Sequence, residues 1–99
     1  MHVEAVHTEH PRAREIVASA HCVARFRQRM PIRESGGEAV ARALRAALED
    51  ADVSGWPPAW AVSDRPAELW AVTAELAFPL VPTETPGRWL ALTCLSRRG

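Results

Sequence analysis

The sequence predicts an α+β domain, with two N-terminal helices packed on one face of a small antiparallel sheet formed mainly by the C-terminal half. Three observations predict it. Apolar residues in 20–30 and in 36–51 recur at helical spacing, the mark of a helix with one buried face. Apolar residues in 69–78 and 89–96 alternate instead, which is the period of a strand. The loops between these segments are too short for parallel crossovers, so neighbouring strands are expected to pair antiparallel.

Residues 1–13 read as a flexible N-terminal arm, and 14–99 as one domain. The weak alternation from His2 to His7 would suit an edge strand, which Pro11 ends. Residues 14–18 form a short strand or lead-in. Ser19 is placed as the N-cap of a helix over 20–30, where Val23, Phe26 and Met30 make the apolar face and Pro31 stops it. Ser35 and Glu38 match a capping box, opening a helix over 36–51. Its apolar face is Val40, Leu44, Ala47, Leu48 and Ala51, opposite Arg42, Arg45 and Glu49.

Beyond Asp52 the composition changes. Gly55, Pro57 and Pro58 rule out helix interior and mark a rigid loop. Trp60-Ala61-Val62 is a candidate short strand, and Asp64-Arg65-Pro66 a turn. Residues 69–78 read as one strand with Trp70, Val72, Ala74, Leu76 and Phe78 on its buried face. Residues 79–88, with three prolines and Gly87, read as a loop. Residues 89–96 read as the last strand, near-continuously apolar and so expected centrally in the sheet.

Ninety-nine residues support one small core. At 47% hydrophobic and 24% charged, the chain is a globular domain rather than a disordered one. No apolar run approaches the roughly 20 residues that cross a bilayer. The first residues lack the apolar stretch of a secretory signal, so a cytoplasmic location without membrane contact is expected. Formal net charge is zero, with 12 basic and 12 acidic residues, which excludes a generic basic coat for nucleic acid but not a local anion site. Every basic residue is arginine, whose planar fork suits phosphate. Cys22 and Cys94 lack zinc-knuckle spacing and are expected to stay reduced as small buried hydrophobes. His2, His7 and His10 are too unevenly spaced for a metal site, and no cofactor signature is present; Gly36-Gly37 is not a phosphate loop.

The feature that points to function is the run from Ser19 to Pro31. His21, Arg25 and Arg29 stand four residues apart, so on a helix they drift only about 40° per step and form one basic stripe. An imidazole titrates near neutral pH, and two guanidiniums hold anionic oxygens. The same spacing also fits an ordinary solvated face with salt bridges to Glu34 or Glu38.

The run His21-Cys22-Val23-Ala24-Arg25-Phe26-Arg27-Gln28-Arg29, followed by a capped helix and terminal strands, resembles small bacterial and phage domains with an H-x3-R-x3-R signature. Such domains have been placed with the barnase–EndoU–colicin–RelE superfamily of ribonuclease toxins. The resemblance implies N-terminal helices on a curved antiparallel sheet and metal-independent cleavage of RNA by 2′-hydroxyl attack. It gives His21 the acid–base role, Arg25 and Arg29 the phosphate, and Thr93 a hydroxyl near the same site. Trp70 or Trp89 would stack a base.

Two readings from other classes stand beside it. One is a non-enzymatic partner-binding or homodimerising module, with the arginines structural and four tryptophans supplying apolar surface. The other is a binder of phosphorylated metabolites using the same arginines. The partners these readings name are RNA, a cognate antitoxin or other protein, and a second copy of the chain.

Overall fold

The computed structural model describes residues 3–30, 36–62 and 66–97. The chain is α+β. Strands β1 (Val3–His7) and β2 (Glu15–Ala18) precede helices α1 (Ala20–Arg29) and α2 (Gly37–Asp50). Five short strands follow: β3 (Asp52–Ser54), β4 (Leu69–Val72), β5 (Leu76–Pro82), β6 (Arg88–Ala91) and β7 (Leu95–Ser96). They form one sheet of order β1-β2-β6-β5-β4-β3, with β7 also pairing β5.

The sheet is mixed, not antiparallel. β2 and β6 run parallel, Glu15 opposite Arg88 and Ala18 opposite Ala91, while the other pairings are antiparallel. The antiparallel expectation considered only the short loops between neighbouring segments. A parallel pair needs a long crossover, and here everything from α1 to β5 supplies it. The sheet also begins within the stretch assigned to an arm. Residues 3–7 pair with β2, Val6 is buried, and the weak alternation there is that of an edge strand.

The β1–β2 turn is held by side chains. Thr8 Oγ1 donates to the Ala13 carbonyl, and His10 Nδ1 accepts from the Arg12 and Ala13 amides at 3.1 and 3.3 Å. At the turn end of β2, Glu15 accepts from Arg88 Nε at 3.2 Å and forms an ion pair with its Nη2 at 3.2 Å, across the parallel pair.

Residues 69–78 are not one strand but the hairpin β4–β5. Thr73 makes the turn: its Oγ1 accepts from the Glu75 and Leu76 amides at 3.3 and 3.0 Å, and its own amide donates to the Leu76 carbonyl. β5 then continues through Pro79, a residue expected in a loop. A proline is tolerated inside a sheet only where its missing N–H is not needed. Here the facing strand supplies the gap. Leu80 pairs with Ala91 and Ala77 with Leu95, so Phe78-Pro79 face the longer segment Leu92-Thr93-Cys94. This one-residue bulge splits the expected strand 89–96 into β6 and β7, and the Pro79 carbonyl still accepts from the Leu92 amide at 3.0 Å.

Register places Ile16, Ala18, Ala91, Leu80, Leu69, Phe78 and Ala71 on one face of the sheet. These residues form a single core with Cys22 and Phe26 of α1 and Val40, Leu44 and Leu48 of α2. Val23, Met30, Ala47 and Ala51 pack at its margin, as the helical periodicities require. The Ser35 cap expected for α2 lies outside the described residues; the N-cap is Gly36, without a side-chain bond. Trp60-Ala61-Val62 is the end of a turn and irregular chain rather than a strand.

Candidate functional site

α1 is built to dock on the bulge. Ser19 caps it in extended backbone, its Oγ accepting from the Cys22 amide at 3.0 Å and donating to the Leu92 carbonyl at 3.0 Å. One turn on, Cys22 Sγ donates to the Thr93 carbonyl at 3.4 Å. The bulge breaks the β ladder, and the carbonyls of Leu92 and Thr93 are met by the first turn of the helix instead. That contact fixes where the solvent side of α1 points.

The stripe forms as its spacing requires. His21 and Arg25 are exposed and Arg29 is half-buried. Arg25 Nη1 donates to Gln28 Oε1 at 3.3 Å, bracing the guanidinium along the helix. Arg27 is exposed too, and α1 contains no acidic residue. The last-turn arginines sit at the negative end of the helix dipole, a favourable placement for cations.

At its C-terminal end the stripe turns inward. Arg29 lines a cavity of about 210 Å³ with Trp60, Ala61, Val62, Leu95 and Ser96. Its charge reaches Cys94: burial pushes that thiol up to about 12, and Arg29 opposes the rise. Cys22 is pushed up as well, first by burial and then by the neighbouring Cys94. Both cysteines are free and buried, so they are inert packing groups rather than nucleophiles.

Other residues named from the sequence lie elsewhere. Thr93 is 6% exposed, in the bulge beneath the first turn of α1, not mid-strand beside the exposed stripe. Trp70 and Trp89 are 6% and 5% exposed, so neither offers a ring face to an incoming base. The Trp89 indole donates to the Arg12 carbonyl at 2.9 Å, and the Arg12 guanidinium sits 5.4 Å from its ring centroid. The tryptophans nearer solvent are those of the loop after β3. Trp56 is 80% exposed, and Trp60 is half-buried against the Arg29 cavity. The sequence signal that could have singled them out is position: a Pro-Pro loop holds aromatics outside any regular element.

Two larger cavities carry the opposite charge. One of about 730 Å³ is lined by Asp50, Asp52, Ser54, Trp56 and Thr73 among others. Another, about 450 Å³, has Glu9, Glu49 and Asp52 beside His7 and His10. Among the described residues no three His, Cys, Asp or Glu side chains converge as metal ligands would, and no helix is long and apolar enough to cross a membrane. No family model, curated protein or solved structure is found to be similar to this chain.

Proposed function

We propose that the protein binds RNA through the solvent face of α1 and cleaves it in the manner of metal-independent endoribonucleases. The observation that carries this reading is the alignment of His21, Arg25 and Arg29 along a helix that has no carboxylate of its own. A preorganised positive row suits a phosphodiester, whose charge it meets without moving. In this reading Arg25 holds the non-bridging oxygens of the scissile phosphate. His21 takes the proton from the 2′-hydroxyl as its oxygen attacks phosphorus; the P–O5′ bond breaks, and the 5′-oxygen is protonated by solvent water, to which the His21 imidazolium in turn returns its proton. The products are a 2′,3′-cyclic phosphate and a 5′-hydroxyl. Thr93, Trp70 and Trp89 have no part in it.

The test uses purified protein and a single-stranded oligoribonucleotide with chelator present. Salt-sensitive binding and cleavage are expected, with a 2′-deoxy strand bound but not cut. Arg25→Ala weakens binding, and His21→Ala leaves binding but removes cleavage. Absence of RNA binding by the wild type overturns the reading. Expression in a bacterial host with growth as the readout tests the toxin role.

One observation favours a second reading, a partner-binding module. Trp56 and Val62 are 80% and 84% exposed in the one loop between β3 and β4, more apolar surface than a monomer gains by showing. Concentration-dependent sedimentation of the wild type and of Trp56→Ser tests it.

A further inference from the structure

The geometry points to a nucleobase pocket at the C-terminal end of α1, walled by Arg29, Trp60, Val62, Leu95 and Ser96, that takes one base of the strand whose scissile phosphate Arg25 holds. The inference rests on the RNA reading and gives it a site of base contact.

Size comes first. At about 210 Å³ the cavity is below the roughly 300–1,000 Å³ of sites for drug-sized ligands, and suits one flat heteroaromatic ring rather than a whole nucleotide. The wall chemistry matches such a ring. Trp60 supplies an aromatic surface, and Val62 and Leu95 aliphatic edges. Val62 is 84% exposed, so a stacked base would cover apolar surface that the fold leaves in water.

Charge separates this cavity from the two larger ones. Those are lined by carboxylates, which repel a phosphate chain, whereas the described lining here has an arginine and no acid. Arg29 also belongs to the stripe. Successive stripe residues are about 6 Å apart along the helix axis, comparable to the phosphate repeat of a single strand. A strand laid along α1 from His21 therefore arrives at Arg29, one of the residues that line the pocket. The influence of Arg29 on Cys94 agrees with a side chain directed toward β7.

Three probes test the pocket on the full chain: a single-stranded oligoribonucleotide, inorganic polyphosphate of matched charge, and nucleoside 5′-monophosphates. Base stacking is worth about 1–3 kcal/mol, so Trp60→Ala is expected to weaken oligonucleotide binding about tenfold. Polyphosphate binding should be unchanged, and Trp60→Phe should recover most of the loss. Arg25→Ala should weaken both polyanions alike. In an NMR titration the Trp60 indole resonance is expected to move with monophosphates and to stay still with inorganic phosphate. A Trp60→Ala effect that is equal for oligonucleotide and polyphosphate, or absent for both, overturns the pocket. If monophosphates move Trp60 while RNA does not bind, the pocket stands and the RNA reading falls. If RNA binds and no monophosphate moves Trp60, the reverse holds.

Discussion

Replacing Ser19 with alanine tests what seats α1, and its cost can be worked from the two bonds one hydroxyl makes. The accepted bond from the Cys22 amide is an N-cap, worth about 1 kcal/mol. The donated bond satisfies the Leu92 carbonyl at the bulge. Losing it leaves a half-buried acceptor short of a partner, at about 1 kcal/mol more. The expected total is about 2 kcal/mol, or roughly 10 °C in midpoint for a domain of this size. Urea unfolding followed by far-ultraviolet circular dichroism measures it, with the m-value unchanged. Two companion variants divide the sum. Ser19→Thr keeps both bonds and should match wild type within about 0.5 kcal/mol. Ser19→Asp keeps the cap but has no proton for Leu92, so it should recover about half the loss. Ser19→Ala within about 0.5 kcal/mol of wild type would refute the view that the bulge anchors the helix. An aspartate variant as stable as wild type would refute the Leu92 half alone.

Further outcomes follow from other contacts. The buried thiols of Cys22 and Cys94 keep their protons above the ordinary value of 9.0, so the folded state binds protons that the unfolded chain releases. Stability is then intact below about pH 9 and falls as pH rises toward 12, by about 1.4 kcal/mol per pH unit for each thiol, and Cys94→Ala should flatten the slope measured by denaturation at stepped pH. Gly87 has φ +83° and space for a Cβ beside Arg14, so Gly87→Ala costs only backbone strain, about 1 kcal/mol by urea midpoint, and Gly87→Asn less. Trp89→Phe removes the bond to the Arg12 carbonyl and weakens the guanidinium contact, at about 1–2 kcal/mol by thermal melting. His21→Ala, at an exposed helix position, should leave stability within about 0.5 kcal/mol of wild type by urea midpoint, so that any loss of the proposed cleavage is not a loss of fold.

Both helices were legible in the sequence because a helix declares itself locally. Val40, Leu44 and Leu48 repeat at helical spacing whatever they pack against, and all are buried. The stripe on α1 was legible for the same reason. Strand boundaries were not, because they depend on partners. Leu69–Phe78 alternates as one strand would, and only the bonds around Thr73 reveal a hairpin turn inside it. Pro79 reads as a breaker until the bulge opposite explains where its missing donor goes. The parallel pairing of β2 with β6 had no local signal, since its two strands come from distant parts of the chain. At the candidate site, Trp70 and Trp89 carried the stacking role only through the family resemblance, and a strand of a central sheet is where a tryptophan is most completely enclosed.

That parallel pair also sets an order on the protein's synthesis. The β1–β2 hairpin emerges from the ribosome before both helices, but the strand that must lie beside β2 is made only after them and after β3, β4 and β5. Until residues 88–91 arrive, β2 offers an unpaired edge, and the sheet face under α1 has no β6 to complete it. Contacts so distant in sequence are made slowly. The domain therefore assembles after most of its chain has been translated. In that interval it is the nascent hairpin, more than the finished fold, that needs shielding from other chains.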